Sequence, residues 1–168
     1  TGVVLPVHEI AVIARRHGVA FFCDGTQAVG KITVDVKTTG MDLMAFTAHK
    51  IYGPKGVGAI YIRGGIHMGL VRPLITGGSH EGGLRGGTLN VAGIAGFGEA
   101  ARICFRQLDA EYKQIRKFQA IMENVLLQIP GVHLNGDPNK RLPHITNLSI
   151  KGIDSEKLLL HLSSRLAL

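Results

Sequence analysis

The sequence has few cysteines and no long apolar run. Its longest apolar stretches, such as residues 19–23 and 158–160, are far too short to cross a bilayer. The two cysteines, Cys23 and Cys104, lack the spacing of metal ligands. The sequence shows no export signal, which would be a basic segment followed by an apolar one. We therefore predict a reduced, cytoplasmic protein with no metal site and no membrane association.

The sequence also lacks two common nucleotide-binding motifs. Residues 53–58 are rich in glycine but continue with Ala59, where a P-loop needs lysine. No G-x-G-x-x-G opens a helix after a strand. The formal net charge of +7 comes from basic residues spread along the chain, and residues 108–117 mix both signs at helical spacing. We therefore predict an anionic small molecule as ligand rather than a nucleic acid.

What is present in the first part of the chain is a helix followed by short strands. Residues 6–16 have a helical period, and three short apolar runs follow at 19–23, 42–46 and 58–62. The continuous run 19–23 favours a strand that is covered on both faces. We predict an α/β fold, in which ligands bind at the carboxyl ends of the strands.

The second part of the chain is glycine-rich and then mostly helical. Six glycines among residues 77–88 predict a loop that turns repeatedly or approaches something closely. We predict helical segments at 91–102 and 108–128, a strand at 145–150 and a last helix at 154–160. A domain boundary near residue 108 divides the chain into a large domain, 1–108, and a partial small domain, 109–168.

Polar side chains gather after the predicted strands. Asp24 and Gln27 follow the first strand, Thr47, His49 and Lys50 follow the second, and Arg85 and Thr88 lie on the glycine loop. Taken singly, each has a commoner structural role, because most lysines are solvated and an aspartate after a strand is usually a turn residue. Both cysteines lie in apolar runs, which favours buried, inert thiols. Only the whole set indicates chemistry.

A family resemblance rests on segments that occur in one order. They read CDGTQAVGK, MDLMAFTAHKIYGPKGVGAIYIR, GGSHEGGLRGGT and LNGDP. Together they resemble the NifS/IscS-like cysteine desulfurases, which are fold-type I pyridoxal phosphate enzymes of the class V aminotransferase family. The likeness runs from residue 1 to about 164. It implies part of a mainly parallel, three-layer sheet flanked by helices, with the start of a smaller α+β domain.

The resemblance implies roles for the residues around the cofactor ring. Lys50 matches the lysine that holds the aldehyde of pyridoxal 5'-phosphate as a Schiff base and then moves protons. We predict Lys50 and His49 as catalytic residues. Asp24 matches the carboxylate that keeps the pyridine nitrogen protonated, and Gln27 matches the side chain that hydrogen-bonds the ring hydroxyl.

The resemblance also implies a phosphate site and a homodimer. Thr47 and His49 match the segment that binds the cofactor phosphate, and Thr47 stands where many relatives have serine. Thr88 matches a residue that reaches the phosphate of the neighbouring subunit's cofactor. Asp24, Gln27, Thr47, His49, Lys50 and Thr88 are therefore the predicted cofactor-binding residues.

The implied reaction removes sulfur from L-cysteine, giving L-alanine and an enzyme persulfide for iron–sulfur cluster or thio-cofactor assembly, with a sulfur-acceptor or scaffold protein as partner. The alternatives are a class V aminotransferase, a selenocysteine lyase, or an inactive fragment that only dimerises or binds a partner. The family's upstream half-domain and its sulfur-carrying cysteine loop have no match here, and neither Cys23 nor Cys104 replaces that cysteine. We therefore expect an incomplete site and exposed apolar faces.

Overall fold

The computed structural model describes residues 1–166 as an α/β structure with two small sheets. Its helices and strands in chain order are α1 Val7–Arg16, β1 Phe22–Asp24, α2 Val36–Thr39, β2 Leu43–Thr47, β3 Gly58–Ile62, α3 Val91–Leu126, β4 Val132–Leu134, β5 Leu148–Ile150 and α4 Ser155–Leu162. Short 3₁₀ turns cover Ala48–Ile51, Ile66–Met68 and Glu81–Gly83. Of the helices within residues 1–166, none is long and apolar enough to cross a bilayer.

The first sheet combines both strand orientations in the order β1-β2-β3. Strand β1 runs parallel to β2, and β3 runs antiparallel to β2. The second sheet is the antiparallel pair β4-β5. The predicted α/β class is therefore confirmed, with an antiparallel strand beside the parallel pair.

The chain divides into two compact units. The larger unit is Leu5–Lys113, and the smaller unit combines Thr1–Val4 with the described chain from Gln114 onward. The division falls inside α3. The domain boundary near residue 108 stays a prediction about the organisation of the protein.

The first helix and the third strand lie where the sequence places them, at Val7–Arg16 and Gly58–Ile62. Strand β1 begins later than its apolar run and ends on Asp24. The prediction that this strand is covered on both faces is wrong for the described structure, because Phe22 is 51% exposed and Asp24, on the same face, is exposed too.

The long helix α3 is continuous over 36 residues, so the predicted interruption between residues 102 and 108 is wrong. Phe97, Ala100 and Cys104 form one buried stripe at helical spacing. Phe105 is apolar as well, yet it is 85% exposed. This exposed apolar residue beside the buried stripe blurs the helical pattern in the sequence.

The core of the larger unit packs α3 against the chain that follows β2. Ala48 and Ile51 are buried there against Phe97, Ala100 and Cys104. The rings of Phe46 and Phe97 meet edge to face with centroids 5.8 Å apart, a geometry that contributes about 0.5–1.5 kcal/mol beyond burial. This core fixes the segment that carries Lys50.

The smaller unit joins the first residues of the chain to a late segment. The Val4 N–H donates to the Lys140 carbonyl at 2.8 Å, and the Leu142 N–H donates to the Gly2 carbonyl at 2.8 Å. Residues more than a hundred positions apart in the sequence thus share one set of backbone hydrogen bonds.

A charged network lies beneath that segment. Arg141 is buried and forms an ion pair with Glu123, which also accepts a hydrogen bond from Thr146 at 2.6 Å. Burial raises the pKa of Glu123, but the bonds from Arg141 and Thr146 outweigh it, so the pKa lies below its ordinary value. Gln119 donates to the Ile145 carbonyl at 3.0 Å and completes the network.

Large apolar side chains of the larger unit are exposed, as the sequence led us to expect. Phe105 projects beside a groove of about 530 Å³, which is lined by residues that include Met44, Phe46 and Cys104. On the sheet, Phe22 and Ile60 are about half exposed, at 51% and 48%. An exposed groove lined by apolar side chains often marks an interaction site.

Candidate active site

Two chain segments leave the sheet at the same edge and carry the predicted site residues. Asp24, at the end of β1, lies opposite Ala45 of β2, and the next N–H, from Gly25, donates to the Ala45 carbonyl at 2.9 Å. Because parallel strands have their carboxyl ends at one edge, the loop after Asp24 and the turn after Thr47 emerge together. The predicted convergence of these segments is therefore present in the fold.

We call residues 48–53 the lysine turn. It begins with the 3₁₀ segment Ala48–Ile51, in which residues three positions apart share a face. Ala48 and Ile51 point into the core and are 0% and 2% exposed. His49 and Lys50 lie on the outer side and are exposed. The packing of two apolar neighbours thus presents the Lys50 amine to solvent.

The lysine turn is closed by a sharp reversal. Tyr52 has a left-handed backbone with φ of 64°, and the Gly53 N–H then donates to the Ala48 carbonyl at 2.9 Å. A Cβ on Gly53 would lie 3.0 Å from the Cβ of Ala48 and 3.2 Å from the Cβ of Ala100. A larger residue would therefore crowd the core here, which favours glycine where the chain passes this close to it.

The hydroxyl of Thr47 connects strand β2 to His49. Its Oγ1 donates to the Val57 carbonyl at 3.1 Å and lies 3.0 Å from Nδ1 of His49. The Val57 carbonyl also accepts the Ala48 N–H at 3.1 Å. The Thr47 proton can therefore turn toward a bound anion without leaving that carbonyl unsatisfied.

The carboxylate of Asp24 is held by its own turn. It accepts a hydrogen bond from the Thr26 N–H at 2.9 Å. Hydrogen bonds from Thr26 lower the pKa of Asp24 below its ordinary value, so the side chain is ionised at neutral pH. Asp24 and Gln27 are both exposed on this loop. An anionic carboxylate is thus available beside the strand that leads to Lys50.

Thr88 lies on a different segment, the glycine-rich loop between β3 and α3. Nη1 of Arg85 donates to the carbonyls of Gly87 at 3.0 Å and Thr88 at 3.4 Å. Arg85 therefore organises the loop, and Thr88 is exposed at its end.

One contact at this edge was not predicted. Nζ of Lys31 donates to the hydroxyl of Tyr52 at 3.3 Å and lies 4.4 Å from the centroid of its ring. Both residues stand inside the segments that carry the family resemblance. Proximity to Lys50 in the sequence could have drawn attention to Tyr52, but no local pattern links it to Lys31.

Comparison with known proteins shows the family. Residues 1–167 match the description "Aminotransferase class-V". The chain belongs to the class-V aminotransferase family. It is 45% identical over 163 residues to "Probable cysteine desulfurase, mitochondrial" of Schizosaccharomyces pombe and 42% identical over 161 residues to "Cysteine desulfurase IscS" of Buchnera aphidicola.

A solved structure has the same fold. The NifS-like protein from Rickettsia africae ESF-5 is 31% identical, with a TM-score of 0.90, and the match covers 97% of this chain and 44% of that one. The matches to the S. pombe and Buchnera relatives cover 97% and 96% of this chain, but 32% and 40% of the relatives' own length. The chain thus spans less than half the length of each of these three proteins.

The exposed residues at the sheet edge fit pyridoxal phosphate, the cofactor that the fold family implies. Its aldehyde needs an amine, and the Lys50 amine is exposed; its pyridine nitrogen needs a carboxylate, and the exposed Asp24 side chain is ionised at neutral pH. Its phosphate needs donors, and the Thr47 hydroxyl has a proton that can be redirected. The donor set therefore suits the group.

Proposed function

We propose that this region carries the cofactor lysine of a pyridoxal phosphate-dependent cysteine desulfurase. The observation that carries the proposal is the exposed Lys50 on the turn after β2, the strand that pairs in parallel with the one that ends in Asp24. The choice of L-cysteine as substrate is supported by relatives named cysteine desulfurase across nearly the whole chain. The products are L-alanine and an enzyme persulfide. A sulfur-acceptor or scaffold protein then receives the outer sulfur of the persulfide for iron–sulfur cluster or thio-cofactor assembly.

Bound pyridoxal phosphate supplies an aldehyde that links to amines and a ring that accepts electrons from the substrate Cα. Nζ of Lys50 would hold the aldehyde and would also accept the proton from the substrate Cα. The Asp24 carboxylate would keep a proton on the ring nitrogen, and Gln27 would hydrogen-bond the ring hydroxyl. Thr47 and His49 would donate to the phosphate.

The proposal does not use either cysteine of this chain as the sulfur carrier. Burial raises the pKa of the Cys23 and Cys104 thiols above their ordinary value. The sulfur carrier must be a thiolate, which a raised pKa disfavours. The acceptor thiolate therefore belongs to a cysteine outside this region.

We further propose a homodimer in the cytoplasm. Thr88 is exposed at the end of a loop that Arg85 holds in shape, which suits a residue that reaches a neighbouring subunit's phosphate. The exposed apolar side chains of the larger unit are further support for an assembly. Both cysteines are free thiols, as expected in a reducing compartment.

The cofactor site is tested by chemical trapping. The chain is incubated with pyridoxal phosphate and reduced with borohydride, and the pyridoxyl-modified lysine is located by peptide mass spectrometry. We expect modification at Lys50, because the turn presents this amine next to the phosphate-binding hydroxyl.

The matched control replaces each of two exposed lysines, Lys50 and Lys55, by alanine in turn. Lys55→Ala should leave the modification at Lys50 unchanged, whereas Lys50→Ala should abolish it. Equal modification of Lys50, Lys55 and other exposed lysines, or no modification, would contradict the proposed site.

A further inference from the structure

The loop after Asp24 and the lysine turn meet on their buried side. Gly30, with φ of 73°, approaches Ile51 so closely that a Cβ on residue 30 would lie 2.5 Å from Cγ2 of Ile51. Ile51 itself is 2% exposed and its carbonyl lies 3.8 Å from Sγ of Cys104. This contact anchors the inner edge of both segments in the core.

The same two segments also meet on their exposed side. The next residue of the loop, Lys31, contacts the next residue of the turn, Tyr52. The ammonium group lies 4.4 Å from the ring centroid and 3.3 Å from the hydroxyl oxygen. We call this pair of residues the clasp. It combines a cation–π contact with a hydrogen bond to the same side chain.

The backbone of Tyr52 argues that the clasp is more than an incidental surface contact. Its left-handed φ of 64° is a conformation that favours glycine or asparagine and is strained for a bulky residue. Burial does not explain the tyrosine, because the residue is 77% exposed. The described contact of its ring is with Lys31. The tyrosine thus occupies a strained backbone position from which its side chain contacts Lys31 of the opposite segment.

We propose that Lys31 and Tyr52 are positioning residues that hold the Asp24 loop at a fixed distance from Lys50. Tyr52 ends the 3₁₀ segment on which Lys50 lies, and Lys31 lies in the loop between Asp24 and α2. The carboxylate and the amine must contact opposite parts of one cofactor, so a change in their separation weakens its binding. This inference rests on the proposed function.

The test removes each half of the clasp and then both halves. The variants are Lys31→Met, Tyr52→Leu and the double variant, and Lys37→Met is the control for loss of a lysine charge in the same unit. The first readout is the pyridoxal phosphate concentration that gives half-maximal modification of Lys50. Each single variant should raise it about two- to five-fold, the range of an exposed cation–π contact.

The second readout needs no cofactor. Hydrogen exchange of the Gly53 amide, which closes the lysine turn, is followed by mass spectrometry, with peptides of α1 as reference. Loss of the clasp should speed this exchange about two- to five-fold, because the turn opens more often. Lys31→Arg should preserve both readouts, since a guanidinium group also stacks on an aromatic ring.

The double variant decides between coupling and independence. A clasp predicts that the double variant resembles either single variant in both readouts. Additive effects, or faster exchange without weaker pyridoxal phosphate binding, would overturn the positioning role. Failure of the unmutated chain to be modified at Lys50 would refute the proposed function instead, and the exchange readout would still show whether the two residues are coupled.

Discussion

Charged residues are used in opposite ways in the two units. In the smaller unit, Arg141 and Glu123 are 3% and 12% exposed and form an ion pair, with Thr146 as a further donor to Glu123. In the larger unit, Asp24 and Lys50 are exposed at the sheet edge, and the carboxylate is held by the backbone of its own turn. In the smaller unit the opposite charges pair with each other, whereas in the larger unit the charged groups stay exposed and can contact a ligand.

The opposite end of the same sheet sharpens this contrast. Asp42, just before β2, pairs with Arg63 and accepts the Phe21 N–H at 2.8 Å. Hydrogen bonds from Arg63 and Phe21 lower the pKa of Asp42. Asp42 and Asp24 are thus both ionised and both near the ends of strands, yet one joins three chain segments and the other contacts only residues of its own turn among the bonds described.

The largest effect should follow from breaking the buried pair. Glu123→Gln keeps the shape but leaves the buried Arg141 charge uncompensated, so we expect the free energy of unfolding to fall by about 3 kcal/mol. Urea unfolding at neutral pH measures it. The pKa of Glu123 is lowered on folding. The difference in free energy of unfolding between the unmutated chain and the variant should therefore become smaller as the pH falls below 4.5, the ordinary pKa, and then through the folded-state pKa.

The matched control is Glu99→Gln. Glu99 pairs with Arg102 three residues along α3, but both side chains are about half exposed, at 54% and 46%. Its loss should lower the free energy of unfolding far less than Glu123→Gln does, because solvent screens an exposed pair. Equal losses for the two glutamates would remove burial as the basis of the comparison.

An intermediate effect is expected at the structural end of the sheet. Asp42→Asn removes the charge opposite Arg63 and weakens the acceptor for the Phe21 N–H. We expect the free energy of unfolding to fall by about 1–2 kcal/mol, as for other hydrogen bonds that involve a charged group. Thermal unfolding followed by circular dichroism detects this as a lower midpoint temperature. An unchanged midpoint would show that the Asp42–Arg63 pair does not contribute to stability.

The smallest effect on stability is expected at the site end. Asp24→Asn retains an acceptor for the Thr26 N–H, so the free energy of unfolding should change by less than about 0.5 kcal/mol. The same substitution should weaken modification of Lys50 by pyridoxal phosphate, because the ring nitrogen loses its carboxylate. A destabilisation as large as that of Asp42→Asn would assign Asp24 a structural role and break the comparison.

Local patterns predicted the parts of this fold that depend on few residues. Helix α1 has a clear period and stops before a glycine, and β3 is bounded by turn residues. The convergence of Asp24 and Lys50 at one edge also follows from the sequence, because both residues come after neighbouring parallel strands. The roles of all six site residues remain predictions: Asp24, Gln27, Thr47, His49, Lys50 and Thr88.

Features that depend on tertiary packing could not be predicted. The continuity of α3 depends on Cys104 reaching the core beneath Ile51, fifty-three residues earlier in the chain. The left-handed backbone of Tyr52 is set by the closure of the turn onto Ala48 and contradicts the ordinary preference of tyrosine. Its contact with Lys31 spans 21 residues and has no local signature.

The hydrogen bonds between Thr1–Val4 and residues 140–142 have a consequence for synthesis on the ribosome. The larger unit is one continuous stretch, Leu5–Lys113, whereas the smaller unit needs both early and late residues. At roughly 5–20 residues per second, the segment Thr1–Val4 waits on the order of ten seconds for residues 140–142. Its exposed backbone groups are available to chaperones or to wrong strands throughout that interval.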